Sequence, residues 1–118
     1  QLCREVVTVE RIPELSRRAQ VVLDMLGYDN IEYQVDDGSL GWPVGAPYDG
    51  IIVTAAAPHP PQALCDQLTL GGRLVIPVGD DESQQLQQIT RRADRLETIP
   101  LCDVRFVPLI GVQGWAGE

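Results

Sequence analysis

Asp49-Gly50-Ile51-Ile52-Val53-Thr54-Ala55-Ala56-Ala57-Pro58 sets the architecture of this 118-residue chain. Ile51-Ile52-Val53 is apolar without alternation and runs straight into small residues. A strand of that kind belongs in a parallel sheet covered on both faces, because polar alternation marks a face that meets water. Parallel neighbours need crossover connections, usually helical, and the flanking sequence supplies them. Upstream, Val6-Val7-Thr8-Val9 reads as a buried strand. Pro13 then opens a helix in which Leu15, Ala19, Val22, Leu23 and Leu26 recur at helical spacing, Gly27 stops it, and Ile31 to Val35 is a second strand. Downstream, Pro60 and Pro61 open a helix carrying Leu64 and Leu68, Gly71-Gly72 ends it, and Arg73 to Val78 is a fourth strand. Two more strands are expected at Leu86 to Thr90 and Val104 to Leu109. The polar stretch Arg91 to Glu97 between them holds too little helix for a parallel crossover, so the sheet should end in an antiparallel pair. The expected fold class is α/β, an open sheet within one domain over residues 1–118, with no internal repeat or linker.

Composition narrows the function classes. Hydrophobic residues at 44% and charged residues at 22% are ordinary for a globular domain and leave no room for a long disordered tract. Nine basic against 17 acidic residues give a net charge of -8, which excludes a general affinity for nucleic acid or an anionic membrane. Cys3, Cys65 and Cys102 are odd in number and widely spaced, so neither a disulfide framework nor a zinc knuckle is indicated and a cytoplasmic location is expected. No apolar stretch approaches the ~20 residues of a membrane span, and no signal peptide is read at the start. Gln1 is not an initiator methionine and a buried strand begins within a few residues of it, so the chain is expected to start in mid-domain.

Open α/β sheets bind ligands outside the carboxyl ends of their strands. Glu10 follows the first strand and is placed to accept hydrogen bonds from the two hydroxyls of a ribose. Asp36-Asp37-Gly38 follows the second, with carboxylates for an exocyclic amine and a glycine for close approach of backbone to an adenine. Thr54-Ala55-Ala56-Ala57-Pro58 follows the third and leaves space for a flat group or a substrate. The plainer alternatives are a solvated first-turn acid at Glu10 and a simple turn at Asp36 to Ser39. Trp42 and Tyr48 either pack against an adenine or fasten their loop to the sheet, packing being favoured. His59 reads as a solvated loop residue and Arg105 as a surface residue. Ser39 and Ser83 have no base nearby in sequence, and Cys65 shares the apolar side of its helix with Leu64, so none is a nucleophile and no metal site is expected.

Val6-Val7-Thr8-Val9-Glu10-Arg11-Ile12-Pro13-Glu14-Leu15 resembles the segment after the glycine-rich loop of protein-L-isoaspartate O-methyltransferases. Leu26-Gly27-Tyr28-Asp29-Asn30, Asp37-Gly38-Ser39-Leu40-Gly41, Ala46-Pro47-Tyr48-Asp49, Ile51 to Pro58, Leu70 to Gly79 and Arg105-Phe106-Val107-Pro108-Leu109 resemble further family blocks in family order. The resemblance implies a Rossmann-like S-adenosylmethionine-dependent methyltransferase fold, here its C-terminal part. It also implies methyl transfer to the carboxylate of isoaspartyl residues in proteins or peptides, with no general base because a carboxylate is already nucleophilic. The resulting ester favours succinimide formation and repair. By the same resemblance Glu10 is the ribose carboxylate and Asp37 and Gly38 face the adenine side; Thr54, at the end of the third strand, is read from its position as a further cofactor-binding residue. No residue is assigned as catalytic and no metal is required.

Two departures bear on this reading. Asp36 stands where the family usually has glycine, and only Gln113 offers a counterpart for the polar contacts the family makes after its last strand. The family's first strand and its glycine-rich loop lie outside these residues. That strand is central, so its absence should leave two strand edges unpaired or force a new pairing, met by a homodimer or by a complementing N-terminal segment. The chain alone is therefore expected to bind S-adenosylmethionine weakly or not at all. Two other classes stay open: a dinucleotide-binding oxidoreductase domain, and a non-catalytic remnant or interaction module.

Overall fold

The structure, a computed structural model, describes residues 4–116. Cys3 lies outside the described residues. The chain divides into two compact units, Gln1–Gly38 and Ser39–Glu118.

In the first unit β1 (Val6–Glu10) and β2 (Ile31–Val35) pair in parallel, Val6 opposite Ile31 and Glu10 opposite Val35, joined by α1 (Pro13–Met25). This is the expected strand, helix and strand. Pro13 sits in the first helical turn, where a missing N–H is no loss. At the far end the Gly27 N–H donates to Asp24 O and the Tyr28 N–H to Leu23 O, both at 3.1 Å, the bond pair of a Schellman stop. The apolar stripe behaves differently from its expectation. Leu15, Val22 and Leu26 are 46%, 55% and 67% exposed, while Ser16 is buried and Leu23 half-buried. Two strands spaced about 5 Å apart make a floor no wider than one helix, so a single narrow strip of α1 finds cover.

In the second unit the order is β3-β4-β5-β6, from β3 (Tyr48–Ile52), β4 (Leu68–Gly79), β5 (Gln84–Arg91) and β6 (Leu96–Val104), with α2 (Gln62–Asp66) between β3 and β4. β3 and β4 are parallel, and β4, β5 and β6 follow one another antiparallel, so the expected antiparallel ending is present. The core gathers Leu68, Leu74, Ile76 and Ile89 with Ala57, Leu64 and Cys65. Along β4, Leu74 and Ile76 point inward while Arg73 is exposed, the period of two that a pleated strand imposes. Each fully buried Leu or Ile contributes about 1.5–3 kcal/mol.

Several boundaries move from the sequence reading. β3 begins at Tyr48 and ends at Ile52, and Ile52 is 77% exposed although cover on both faces was expected. Among the described residues β3 pairs only with β4 and β1 only with β2, so each has one edge without a ladder partner. The helix opened by the prolines stops at Asp66. Leu68 instead starts β4, paired with Tyr48, before a register jump that brings Gly50 opposite Arg73 and absorbs Gly71-Gly72 as an irregularity inside the strand. The last strand lies at Leu96–Val104 rather than Val104 to Leu109. The polar stretch that was read as a connection is the hairpin turn itself, closed by Arg92 N–H to Arg95 O at 2.8 Å. Residues 105–109 run on without a ladder. The buried Gln84 pins them by donating Nε2 to Phe106 O at 3.0 Å and accepting the Phe106 N–H at 2.7 Å.

Two turns supply tests. Gly41 has φ +67, and a Cβ there would run into the Gln67 carboxamide. That carboxamide accepts the Trp42 N–H at 3.0 Å and donates to Leu40 O at 2.8 Å. Gly41→Ala is expected to cost at least about 1 kcal/mol through backbone conformation, and more through the lost bonds, read as a lower urea midpoint at unchanged slope. After β4, Asp80 Oδ1 accepts the N–H groups of Glu82 and Ser83 at 2.9 and 3.0 Å. These bonds, that of Ser83 foremost, hold the carboxyl below its ordinary value of 3.8. A depressed folded pKa gives stability that is present above the unfolded value and lost as pH falls through the folded one. The urea midpoints of the wild type and Asp80→Ala should differ at neutral pH and converge below pH 3.8. A gap that widens on acidification contradicts this.

Candidate functional site

Parallel pairing brings the first two candidate positions to one end of the first unit. Glu10 closes β1 opposite Val35, and its backbone carbonyl accepts the Asp36 N–H at 3.1 Å. The Glu10 carboxylate accepts the Ile12 N–H through Oε1 at 3.1 Å, which fixes the turn into α1. A carboxylate has about four lone-pair sites, so this bond leaves capacity for further donors. Asp36 Oδ1 accepts the Asp37 N–H at 2.7 Å. The Asp36 carboxylate thus bonds within its own turn, to the neighbouring backbone N–H. Gly38 opens the short 3-10 turn Gly38–Leu40. A Cβ at Gly38 would meet Val9 O at 3.8 Å, an ordinary contact, so the fold does not itself exclude a side chain there.

Thr54 belongs to the second unit, exposed, at the carboxyl end of β3. The small residues after it do not surround an open space. Ala56 and Ala57 are buried and their backbone is fully used: Ala56 N–H donates to Val107 O at 2.7 Å, Ala57 N–H to Pro77 O at 3.0 Å, and Ala57 O accepts the Gly79 N–H at 2.8 Å. Trp115 Nε1 donates to Ala56 O at 3.1 Å. Sequence reasoning did not find this tie, nor the bond from Gln113 N–H to the fully buried Ser39 Oγ at 3.0 Å. Its partners lie 74 positions apart, beyond the reach of any local pattern.

The remaining candidates sort by contact. Tyr48 OH donates to Trp42 O at 2.5 Å and the Trp42 N–H goes to Gln67, so this aromatic pair fastens its loop to the sheet, with Trp42 Nε1 buried and without a partner. His59 and Arg105 are exposed. Burial pushes the Cys65 thiol up, helped by the Asp66 charge, which makes it a poor nucleophile. Gln113 Oε1 accepts the Ala63 N–H at 3.0 Å, so the side chain marked as a counterpart for a cofactor contact serves the fold. Among the described residues there is no group of three or more His, Cys, Asp or Glu able to hold a metal, and no helix long and apolar enough to cross a membrane.

The profile of the family described as protein-L-isoaspartate(D-aspartate) O-methyltransferase (PCMT) matches residues 2–114. The chain is 53% identical to the protein-L-isoaspartate O-methyltransferase of Methanoculleus marisnigri, over 100% of its own length and 54% of the relative's. It is 52% identical to protein-L-isoaspartate O-methyltransferase 1 of Rhodopseudomonas palustris, over 98% and 48%. It thus spans about half the length of these curated relatives. A solved protein-L-isoaspartate O-methyltransferase superposes with a TM-score of 0.84 at 28% identity, over 93% of this chain and 35% of that one. A Plasmodium falciparum structure described as a protein-L-isoaspartate O-methyltransferase in complex with S-adenosyl-L-homocysteine gives 0.77 at 27% identity, over 90% and 52%. These matches set the dinucleotide-binding oxidoreductase reading aside, and the chain belongs to the protein-L-isoaspartate(D-aspartate) O-methyltransferase family.

Proposed function

We propose that this chain is the ribose- and adenine-binding half of a protein-L-isoaspartate O-methyltransferase, and that the complete protein methylates the carboxylate of isoaspartyl residues in proteins and peptides. The observation that carries this reading is the parallel β1-β2 pair, which sets Glu10 and the Asp36-Asp37-Gly38 turn at one strand end within a chain of this family. S-adenosylmethionine, when bound, supplies a methyl group already activated on a sulfonium.

The residues present fit the nucleoside part of that cofactor. Glu10 is the acceptor for the ribose hydroxyls, with one oxygen steadied by Ile12 and capacity left on the carboxylate. Asp37 takes the adenine amine. Gly38 lets the backbone approach the base, which accounts for a glycine where the fold itself has room for a Cβ. Thr54 lines the loop after β3. The methyl acceptor is a carboxylate, so these side chains need only bind, align and keep out water, and no proton has to be moved from the nucleophile.

The methionine part of the cofactor has no comparable holder here. A complementing N-terminal segment is proposed to bring the glycine-rich loop, together with pairing for the bare edge of β1 and for that of β3; a second copy of this chain would close edges without adding the loop. Charge-assisted hydrogen bonds contribute roughly 1.5–3 kcal/mol each, so the chain alone should bind S-adenosylhomocysteine orders of magnitude more weakly than the completed protein. Titration calorimetry on the isolated chain should therefore show little or no binding. Joined to the N-terminal half of the Methanoculleus marisnigri relative, or mixed with it, the chain should bind the ligand and transfer methyl groups to an isoaspartyl peptide. Glu10→Ala should weaken binding in the joined protein by about ten- to a hundredfold. A joined protein that folds and transfers no methyl group supports the non-catalytic remnant instead. Tight binding by the isolated chain that ignores Glu10→Ala removes the assignment of Glu10.

A further inference from the structure

The segment from Leu109 to Trp115 carries polar groups that the cofactor assignments leave unused. Within it Gln113 bonds in two directions: its backbone N–H donates to Ser39 Oγ and its side-chain Oε1 accepts the Ala63 N–H, each at 3.0 Å. Ala63 lies in the first turn of α2, where a helix cannot satisfy its own N–H groups, and Pro61 at the cap offers no side-chain acceptor. Gln113 is thus the cap of that helix, supplied from 50 positions away. Two residues on, Trp115 Nε1 reaches Ala56 O, which also accepts the Leu109 N–H at 2.7 Å. The connection from Thr54 into α2 is therefore held near its start by Trp115 and at its end by Gln113.

We propose that Gln113 is a positioning residue for the cofactor loop that begins at Thr54, acting through the Ala63 N–H without touching the ligand. This rests on the reading of Thr54 as a cofactor residue. The role needs an acceptor of the right reach and no donor, because the Ala63 N–H is the group being satisfied. Glutamate keeps such an oxygen, whereas leucine, of similar bulk, has none. A glutamine that contacted the ligand with its amide would behave otherwise, since glutamate lacks the NH2 group and adds a charge.

Two measurements on Gln113→Glu and Gln113→Leu test this. Amide hydrogen exchange on this chain should show the Ala63 N–H exchanging about tenfold faster in the leucine variant and near the wild-type rate in the glutamate variant. The β4-β5 ladder should be unaffected in both. S-adenosylhomocysteine titration of the chain joined to a relative's N-terminal half should show affinity reduced about five- to tenfold in the leucine variant and largely kept in the glutamate variant. Unchanged Ala63 exchange in the leucine variant overturns the proposal. So does equal loss of affinity in both variants, which marks a direct ligand contact, and so does faster exchange with unchanged affinity, which leaves Gln113 a merely structural cap. A wild-type joined protein that binds no ligand defeats the cofactor reading of Thr54 on which the proposal rests, and the exchange data then report on the cap alone.

Discussion

A β-strand offers hydrogen-bonding groups along both edges, and among the described residues β1 and β3 each pair along only one. Backbone N–H and C=O groups must be paired or hydrated, so an open edge on an apolar strand is a cost that proteins ordinarily hide. The other exposed edge in the second unit shows such hiding. β6 carries Pro100, which has no N–H to offer, flanking acids at Glu97 and Asp103, and a register irregularity where it meets β5 at Leu86 and Gln87. β3 has Asp49 and a register jump against β4 between Tyr48 and Gly50 but no proline, and its last residue, Ile52, is largely exposed. The uncovered side of α1, with Leu15, Val22 and Leu26, belongs to the same pattern. Apolar residues at helical spacing are laid out for more cover than a two-stranded floor gives.

The candidate site depends on the same strands. Parallel pairing fixes Glu10 and the Asp36 turn at one end, because the register of β1 and β2 dictates where each segment leaves the sheet. In the second unit the loop after β3 is held by backbone bonds to β4 and to the segment after β6, then by Trp115 and Gln113. Under the proposed function the nucleophile needs no activation and alignment does most of the work, which suits loops tied down by hydrogen bonds.

Much of this was legible in the sequence, for identifiable reasons. The period-3.6 stripe with Pro13 and Gly27 marked α1, and the apolar runs at Val6 and Ile31 marked the parallel pair, because local pattern and tertiary role coincide there. Errors arose where they part. Leu68 fits a helical spacing with Leu64, yet it starts β4, because its pairing with Tyr48 and its burial outweigh a helix of poor length. Leu96 to Val104 looks polar and broken because it forms an exposed edge, while the apolar run after it is an unladdered strap pinned by Gln84. Thr54-Ala55-Ala56-Ala57-Pro58 suggested open space, but small side chains there serve close backbone packing. The Ser39, Gln113 and Trp115 contacts join positions too distant for any sequence period to show.

Under the proposed function, the bare edge of β1 and the bare edge of β3 are each expected to accept pairing from the N-terminal half of a longer relative. Amide hydrogen exchange of the chain, alone and with the N-terminal half of the Methanoculleus marisnigri relative, tests it most directly. The amides of β1 and β3 that do not pair with β2 or β4 should exchange rapidly in the chain alone and become protected in the mixture, while those on the outer edge of β6 stay as they were. Edge amides of β1 and β3 already protected in the isolated chain at low concentration, or unprotected in a mixture where the two halves demonstrably associate, would contradict the account.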